Sequence, residues 1–167
     1  MISRGRSGLI FLFIIVLMAG GCASTKWNFE REAVRLHLQA DSRLNTYGEG
    51  PHTLLLCVYF LSDPNAFNET MEEKEGLSKL LECGRFDRSV ARIKRLVIQP
   101  GQTSTELLDR AEGARYVGVA AGYYSMEKEG STRLFAIPVT WLMKNPAMLD
   151  IDLYLGPQEM QTRKAGR

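Results

Sequence analysis

The sequence predicts an all-β protein, an antiparallel β-sandwich of about eight short strands with one small helical insertion. Three observations predict it. Apolar and polar residues alternate at period two in several short stretches, and Gly-, Pro- and Asp-rich turn signals separate those stretches. A single segment carries helical spacing, and strands never alternate with long helical patterns as a parallel α/β fold requires. The third observation is size: 167 residues, 45% of them hydrophobic and 24% charged, suffice for one packed domain and exclude wholesale disorder.

The chain begins with a segment outside this pattern. Arg4 and Arg6 precede an unbroken apolar run from Leu9 to Met18, then Ala19-Gly20-Gly21 and Cys22. A basic start, a ten-residue apolar run and small residues before a cysteine make a secretory signal ending in a lipobox. The run is about half the roughly 20 residues that a membrane-spanning helix needs. Residues 1–21 are therefore expected to be a lipoprotein signal peptide, and Cys22 the acylated first residue of the mature chain. Ala23 and Ser24 follow it, and without an Asp just after the cysteine the expected destination is the periplasmic face of the outer membrane. The overall charge of +2 belongs to this leader, since Arg4 and Arg6 are the only charges before Cys22. The mature part is balanced, so no basic field points to nucleic acid.

The expected domains are a lipid-anchored linker over 22–32, a sandwich over 33–164 with a helical insertion at 63–83, and a frayed tail at 165–167. Ala33–Ala40 alternates Val34, Leu36 and Leu38 against Arg35, His37 and Gln39, a half-buried strand. Asp41–Thr53 is polar, with Gly48, Gly50 and Pro51, and predicts a long loop. Thr53–Leu61 is apolar on both faces and so needs cover on both. The second cover is expected from the residues that follow: Asp63-Pro64 starts a short helix presenting Phe67 and Met71, and Leu77, Leu80 and Leu81 continue it. Strands return at Ser89–Ile98, Thr105–Asp109, Tyr116–Tyr124, Thr132–Ile137 and Met148–Leu155, with a last edge strand within Gln158–Lys164. Gly118 and Gly122 within the fifth strand predict the close approach of another element.

Catalytic chemistry finds little support. His37 and His52 are the only histidines, and neither has a second ligand at metal-binding spacing. Neither Ser89 nor Ser104 lies in a nucleophile-elbow sequence. Asp150 and Asp152 lie about 7 Å apart on one strand face, where a solvated surface explains them better than a glycosidase pair does. Arg88, Arg92, Lys94 and Arg95 are offset by nearby acids. No catalytic residue, metal, cofactor or small-molecule substrate is expected. Cys57 and Cys83 could form a disulfide in an oxidising compartment, or could be two small buried hydrophobes.

The order and spacing of several segments resemble the outer-membrane lipoprotein family of the type VI secretion system (TssJ, SciN-like and VasD-like proteins). They are Cys22, the strand AVRLHLQA, Leu44-Asn45, the Tyr59-x-Leu61-x-Asp63-Pro64-x-x-Phe67 motif, Leu96–Gln102 and Ala114–Ala121. Pro138–Asn145 departs from the family, with Trp141 after the strand instead of at the head of the next, and Cys57 replaces a residue that is often polar or basic. The resemblance implies a transthyretin-like sandwich without catalysis. It implies a partner, the periplasmic C-terminal domain of the inner-membrane protein TssM, bound by the loop between the first two strands. Here that loop is Asp41–Thr53, with Leu44, Asn45, Thr46, Tyr47, Gly48 and Glu49 as contact residues. The alternative is a lipoprotein binding peptidoglycan or another glycan through Tyr123, Tyr124 and Tyr154.

Overall fold

The structure, a computed structural model, describes residues 25–141 and 144–163. The expected signal peptide, Cys22 and the tail at 165–167 lie outside the described residues. The elements in order are β1 (Glu30–Ala40), β2 (Leu54–Leu61), α1 (Asn65–Glu72), α2 (Gly76–Leu81), β3 (Val90–Ile98), β4 (Thr103–Arg110), β5 (Tyr116–Ala121), α3 (Lys128–Ser131), β6 (Thr132–Ala136), β7 (Leu149–Leu155) and β8 (Met160–Thr162). They form two four-stranded sheets, β4-β1-β7-β8 and β3-β2-β5-β6, packed face to face as the sequence predicts.

The core between the sheets takes the inward residues of β1 (Val34, Leu36, Leu38), β2 (Leu54, Leu56, Val58, Phe60), β5 (Val117, Val119, Ala121) and β7 (Ile151, Leu153, Leu155). The outer face of β2 is equally apolar, and a second cluster covers it. Cys57, Tyr59 and Leu61 lie beneath Phe67 of α1 and Leu77 and Leu80 of α2. Asp63 starts this lid by accepting the Asn65 amide at 2.8 Å, one bond into α1. The Tyr59 hydroxyl donates to the Leu80 carbonyl, and burial pushes it up to about 12. Cys57 and Cys83 are joined by a disulfide, with Cα atoms 5.3 Å apart, which ties β2 to the end of the lid. Gly118 of β5 lies under the lid as well. A Cβ there would stand 2.7 Å from Phe67, so the aromatic ring occupies the space a side chain would fill.

Four features differ from the sequence-based expectation. β1 begins at Glu30, so residues 30–32 belong to the sheet instead of the linker. The cause lies far along the chain: Arg110, buried at the end of β4, pairs with Glu30 at 2.7 Å and donates to the Asn28 carbonyl at 3.2 Å. β4 is longer than Thr105–Asp109 because β1 supplies partners from Gln39 back to Glu30. Glu127–Gly130 reads as a turn in the sequence, whereas Lys128–Ser131 closes into the short α3. The sheet is also not wholly antiparallel, since β7 runs parallel to β1 from Val34↔Leu149 to Ala40↔Leu155. Parallel neighbours need a long connection, and the rest of the domain supplies it.

This strand order separates two poles. The chain enters β1 at one pole, which also holds the β4–β5 turn and residues 137–141 and 144–148. At that pole the Gly113 amide donates to the Trp27 carbonyl at 2.7 Å, and the Ile137 amide to the Arg115 carbonyl at 2.8 Å. The opposite pole holds the β1–β2 loop, the β3–β4 turn, residues 122–131 and the β7–β8 turn.

Two stability changes are expected. Gly118→Ala should displace Phe67 and cost about 1–3 kcal/mol, and an unchanged thermal midpoint would contradict that packing. The disulfide closes a loop of sequence separation 26, so reduction should lower stability by about 3–4 kcal/mol in denaturant titrations of oxidised and reduced protein.

Candidate functional site

The β1–β2 loop is built inward before it faces solvent. The Asp41 amide donates to Leu155 at 2.9 Å, and the Tyr154 hydroxyl donates to the Asp41 carboxylate. That bond, together with the Arg43 amide at 2.7 Å, holds the Asp41 carboxyl below its ordinary value of 3.8. Leu44 is fully buried in the core, and the His52 amide donates to its carbonyl at 2.9 Å. Leu44, expected among the partner-binding residues, thus plugs the end of the sandwich in this structure.

Asn45 is buried as well, with φ of +48° in the left-handed region that Asn tolerates better than most residues. Its side-chain nitrogen donates to the Thr53 carbonyl at 3.0 Å, and its side-chain oxygen accepts the Tyr124 amide at 2.8 Å. One side chain thus pins the far strand of its own loop and the segment after β5. Asn45 is a brace inside the site. Thr46 extends the brace through its amide to Pro157 at 2.9 Å, which joins the β7–β8 turn to the loop.

Beyond the brace the loop turns sharply. The amide and carbonyl groups of Tyr47 and Gly50 bond to each other at 3.1 and 3.4 Å, and Gly48 takes φ of +59°, a value glycine adopts without strain. Tyr47, Gly48 and Glu49 project from this turn into solvent. The Tyr47 ring is stacked on Tyr124, with centroids 3.4 Å apart and planes at 26°. Tyr47 remains 49% exposed and Tyr124 59%, so the pair is fixed yet largely open to solvent. Of the six predicted contact residues, the structure leaves Tyr47, Gly48 and Glu49 outside with Thr46 half-buried, and draws Leu44 and Asn45 inward. It adds Tyr124. The adjacent Tyr123-Tyr124 signals one inward and one outward ring, but nothing local indicates that the outward ring meets Tyr47, 77 positions earlier in the chain.

The other candidate chemistries take ordinary surface roles. The Nδ1 atom of His37 is 3.0 Å from the Thr105 hydroxyl, Asp150 pairs with Arg35 at 3.0 Å, and Arg92 pairs with Asp109 at 3.2 Å. Among the described residues no group of three or more His, Cys, Asp or Glu is placed to hold a metal ion. The aromatic set of the glycan alternative is dispersed, with Tyr123 buried in the core and Tyr154 engaged by Asp41 and covered by Arg163 at 4.4 Å.

Two packed sheets with a braced aromatic loop at one pole define a domain of the β-sandwich class. The fold is similar to Serratia marcescens Lip, described as a membrane bound component of the type VI secretion system, with a TM-score of 0.62 and 19% identity over 81% of this chain and 98% of that one. It is similar to the type VI secretion lipoprotein TssJ1 from Pseudomonas aeruginosa, with a TM-score of 0.59 and 18% identity over 83% of this chain and 98% of that one. A chain of the solved structure described as the T6SS protein TssM C-terminal domain (869–1107) from EAEC matches with a TM-score of 0.60 and 16% identity, over 79% of this chain and 98% of that one. No curated protein sequence matches. A family model for type VI secretion lipoproteins (VasD, EvfM, TssJ) matches residues 32–154, and the chain belongs to that family.

Two tests address the brace. Asn45→Ala should cost about 1–3 kcal/mol, because two buried bonds are lost, and should remove the exchange protection of the Tyr124 amide. Retained protection would show that the loops hold together without it. Asp41 acts with pH in a definite direction. Its carboxyl is lowered in the fold, so its stabilisation is present above 3.8 and is lost as pH falls through the lower, folded value. The protection factor of the Arg43 amide should then fall on acidification in the native protein but not in Asp41→Asn.

Proposed function

We propose that this chain is a non-catalytic structural component of the type VI secretion trans-envelope complex. In this reading it is held at the periplasmic face of the outer membrane by acylated Cys22, and the loop from Asp41 to Thr53 binds the periplasmic C-terminal domain of the inner-membrane protein TssM. Membership in the type VI secretion lipoprotein family supports the role. The TssM domain named for one structure of similar fold supports the partner.

The observation that carries the loop assignment is the exposed Tyr47–Tyr124 stack, at the pole opposite the chain's entry. Binding energy concentrates in aromatic anchors ringed by polar groups, and Tyr47 has Thr46, Gly48 and Glu49 beside it. A rigid anchor loses little entropy on binding, and the Asn45 brace supplies that rigidity. The residues proposed to touch the partner are therefore Thr46, Tyr47, Gly48, Glu49 and Tyr124, with Leu44 and Asn45 holding them.

Tyr47→Ala should weaken binding of the purified TssM periplasmic domain by about 2 kcal/mol or more, read by calorimetry, while the thermal midpoint stays within about a degree or two. Deleting residues 47–50, which close on themselves by two backbone bonds, should abolish binding and preserve the fold. Undiminished binding by both variants would sink the loop assignment. Cys22→Ser should release the protein into the soluble periplasmic fraction, and continued sedimentation with outer membranes would overturn the anchor.

A further inference from the structure

Among the described residues, large apolar side chains left exposed gather at the two poles. Tyr47, Tyr124 and Met126 lie at the pole of the candidate loop, while Phe29, Val139, Trp141 and Met148 lie at the pole where the chain enters. Only Val97 and Leu107 of this set lie on strands. The entry-pole group has no part in the proposed function.

Its most prominent member is Trp141, 91% exposed. It is carried by a built projection. The Ala147 amide donates to the Pro138 carbonyl at 2.8 Å, Val139 bridges to Pro146, and Thr140 and Asn145 exchange bonds at 2.8 and 3.1 Å. β7 leaves this projection to run parallel to β1, so the projection sits at the end of the sheet where β1 begins. With Phe29, Val139 and Met148 also exposed at this pole, the indole makes it a candidate contact surface.

The route of the chain indicates which occupant. Trp27 is fixed to this pole, through the Gly113 bond to its carbonyl and through Arg110 and Arg115, each 5.9 Å from its ring. Cys22 precedes it by five residues, which reach roughly 18 Å when fully extended. A lipid on Cys22 therefore keeps this pole within a short distance of the bilayer surface, with the Tyr47 pole at the far end of the sandwich. Tryptophan is the residue favoured at the boundary between headgroups and acyl chains, where its ring is apolar and its N–H remains hydrated.

We propose that the entry pole is a lipid-docking surface, in which Trp141, supported by Phe29, Val139 and Met148, seats in the interfacial layer of the bilayer that holds the Cys22 lipid. This rests on the acylation of Cys22. Docking adds a second contact to the lipid, so the domain stands on the membrane in one orientation instead of swinging on its linker. Exposed charges of both signs lie at this pole, Lys26, Arg31, Arg115 and Lys144 against Glu30, Glu32, Asp63 and Glu112, so docking comes from apolar insertion and not from a net field.

The test uses the full-length lipidated protein in phosphatidylethanolamine–phosphatidylglycerol vesicles with part of the lipid brominated on its acyl chains. The protein has two tryptophans, Trp27 and Trp141. The expected result is a blue shift of emission and quenching by brominated lipid, unchanged by high salt, with Trp141→Phe losing the shift and most of the quenching. Equal quenching of wild type and Trp141→Phe, or water-like emission from protein that still floats with the vesicles, overturns the docking and leaves the anchor standing. Failure to float overturns the anchor and the docking with it. Water-like emission on vesicles that shifts to the blue only when the TssM periplasmic domain or peptidoglycan fragments are added would make this pole a protein or glycan surface, and would likewise overturn the proposal.

Discussion

The structure depends on burying β2 on both faces. Seven of its eight residues are buried, and only Leu55 is intermediate. An antiparallel sheet ordinarily leaves one face to water, so a strand of this composition is stable only with a cover on each side. The opposing sheet covers Leu54, Leu56, Val58 and Phe60. The lid covers the other side, and it follows β2 directly in sequence, so a short connection closes the second cluster. The remaining features of that face serve the same burial. The Leu80 carbonyl takes the Tyr59 hydroxyl, a missing side chain at Gly118 admits Phe67, and the Cys57–Cys83 bond holds the lid down.

A rigid sandwich also determines what lies at its ends. Once β1 and β7 pair in parallel, every connection is assigned to one pole or the other, and the residues that carry apolar side chains into water are divided between them. The pole of the candidate loop is tied together by bonds that cross from one connection to the next, Asn45 to the Tyr124 amide and Thr46 to Pro157. The polar residues of a long loop would otherwise be free to move. Here two of them are spent inside, so that Tyr47 and Tyr124 can be presented together.

Local pattern was enough to read the strands, the lid and its start, because period-two alternation and an Asp-Pro signal depend on near neighbours. What it did not reveal depends on distant ones. The alternation of AVRLHLQA stops before Glu30, and the strand continues there because Arg110, 80 positions on, supplies the partner. Leu44 looks like a solitary apolar residue in a polar loop, and nothing nearby distinguishes a plug from a contact. The Tyr47–Tyr124 pair and the parallel register of β7 are likewise products of the closed fold. The candidate site was thus legible as a segment, but not as a division between the residues that hold it and the residues that face out.

That division bears on how such a module recognises anything. Apart from Arg4 and Arg6, basic and acidic residues balance, so no net charge is left to steer a partner from a distance. Recognition then falls to short-range contact, which is strong only when the contacting groups are already in place and correctly aimed. β1 alone spans eleven residues, roughly 36 Å, between the poles. On the proposed anchoring, a domain of that length on a free linker would present Tyr47 in every direction, and most encounters would be lost to orientation. A domain seated at its entry pole would present it outward at a fixed height above the membrane. The braced loop and the exposed indole at the other end are then two parts of one requirement: a neutral surface must replace electrostatic steering with geometry.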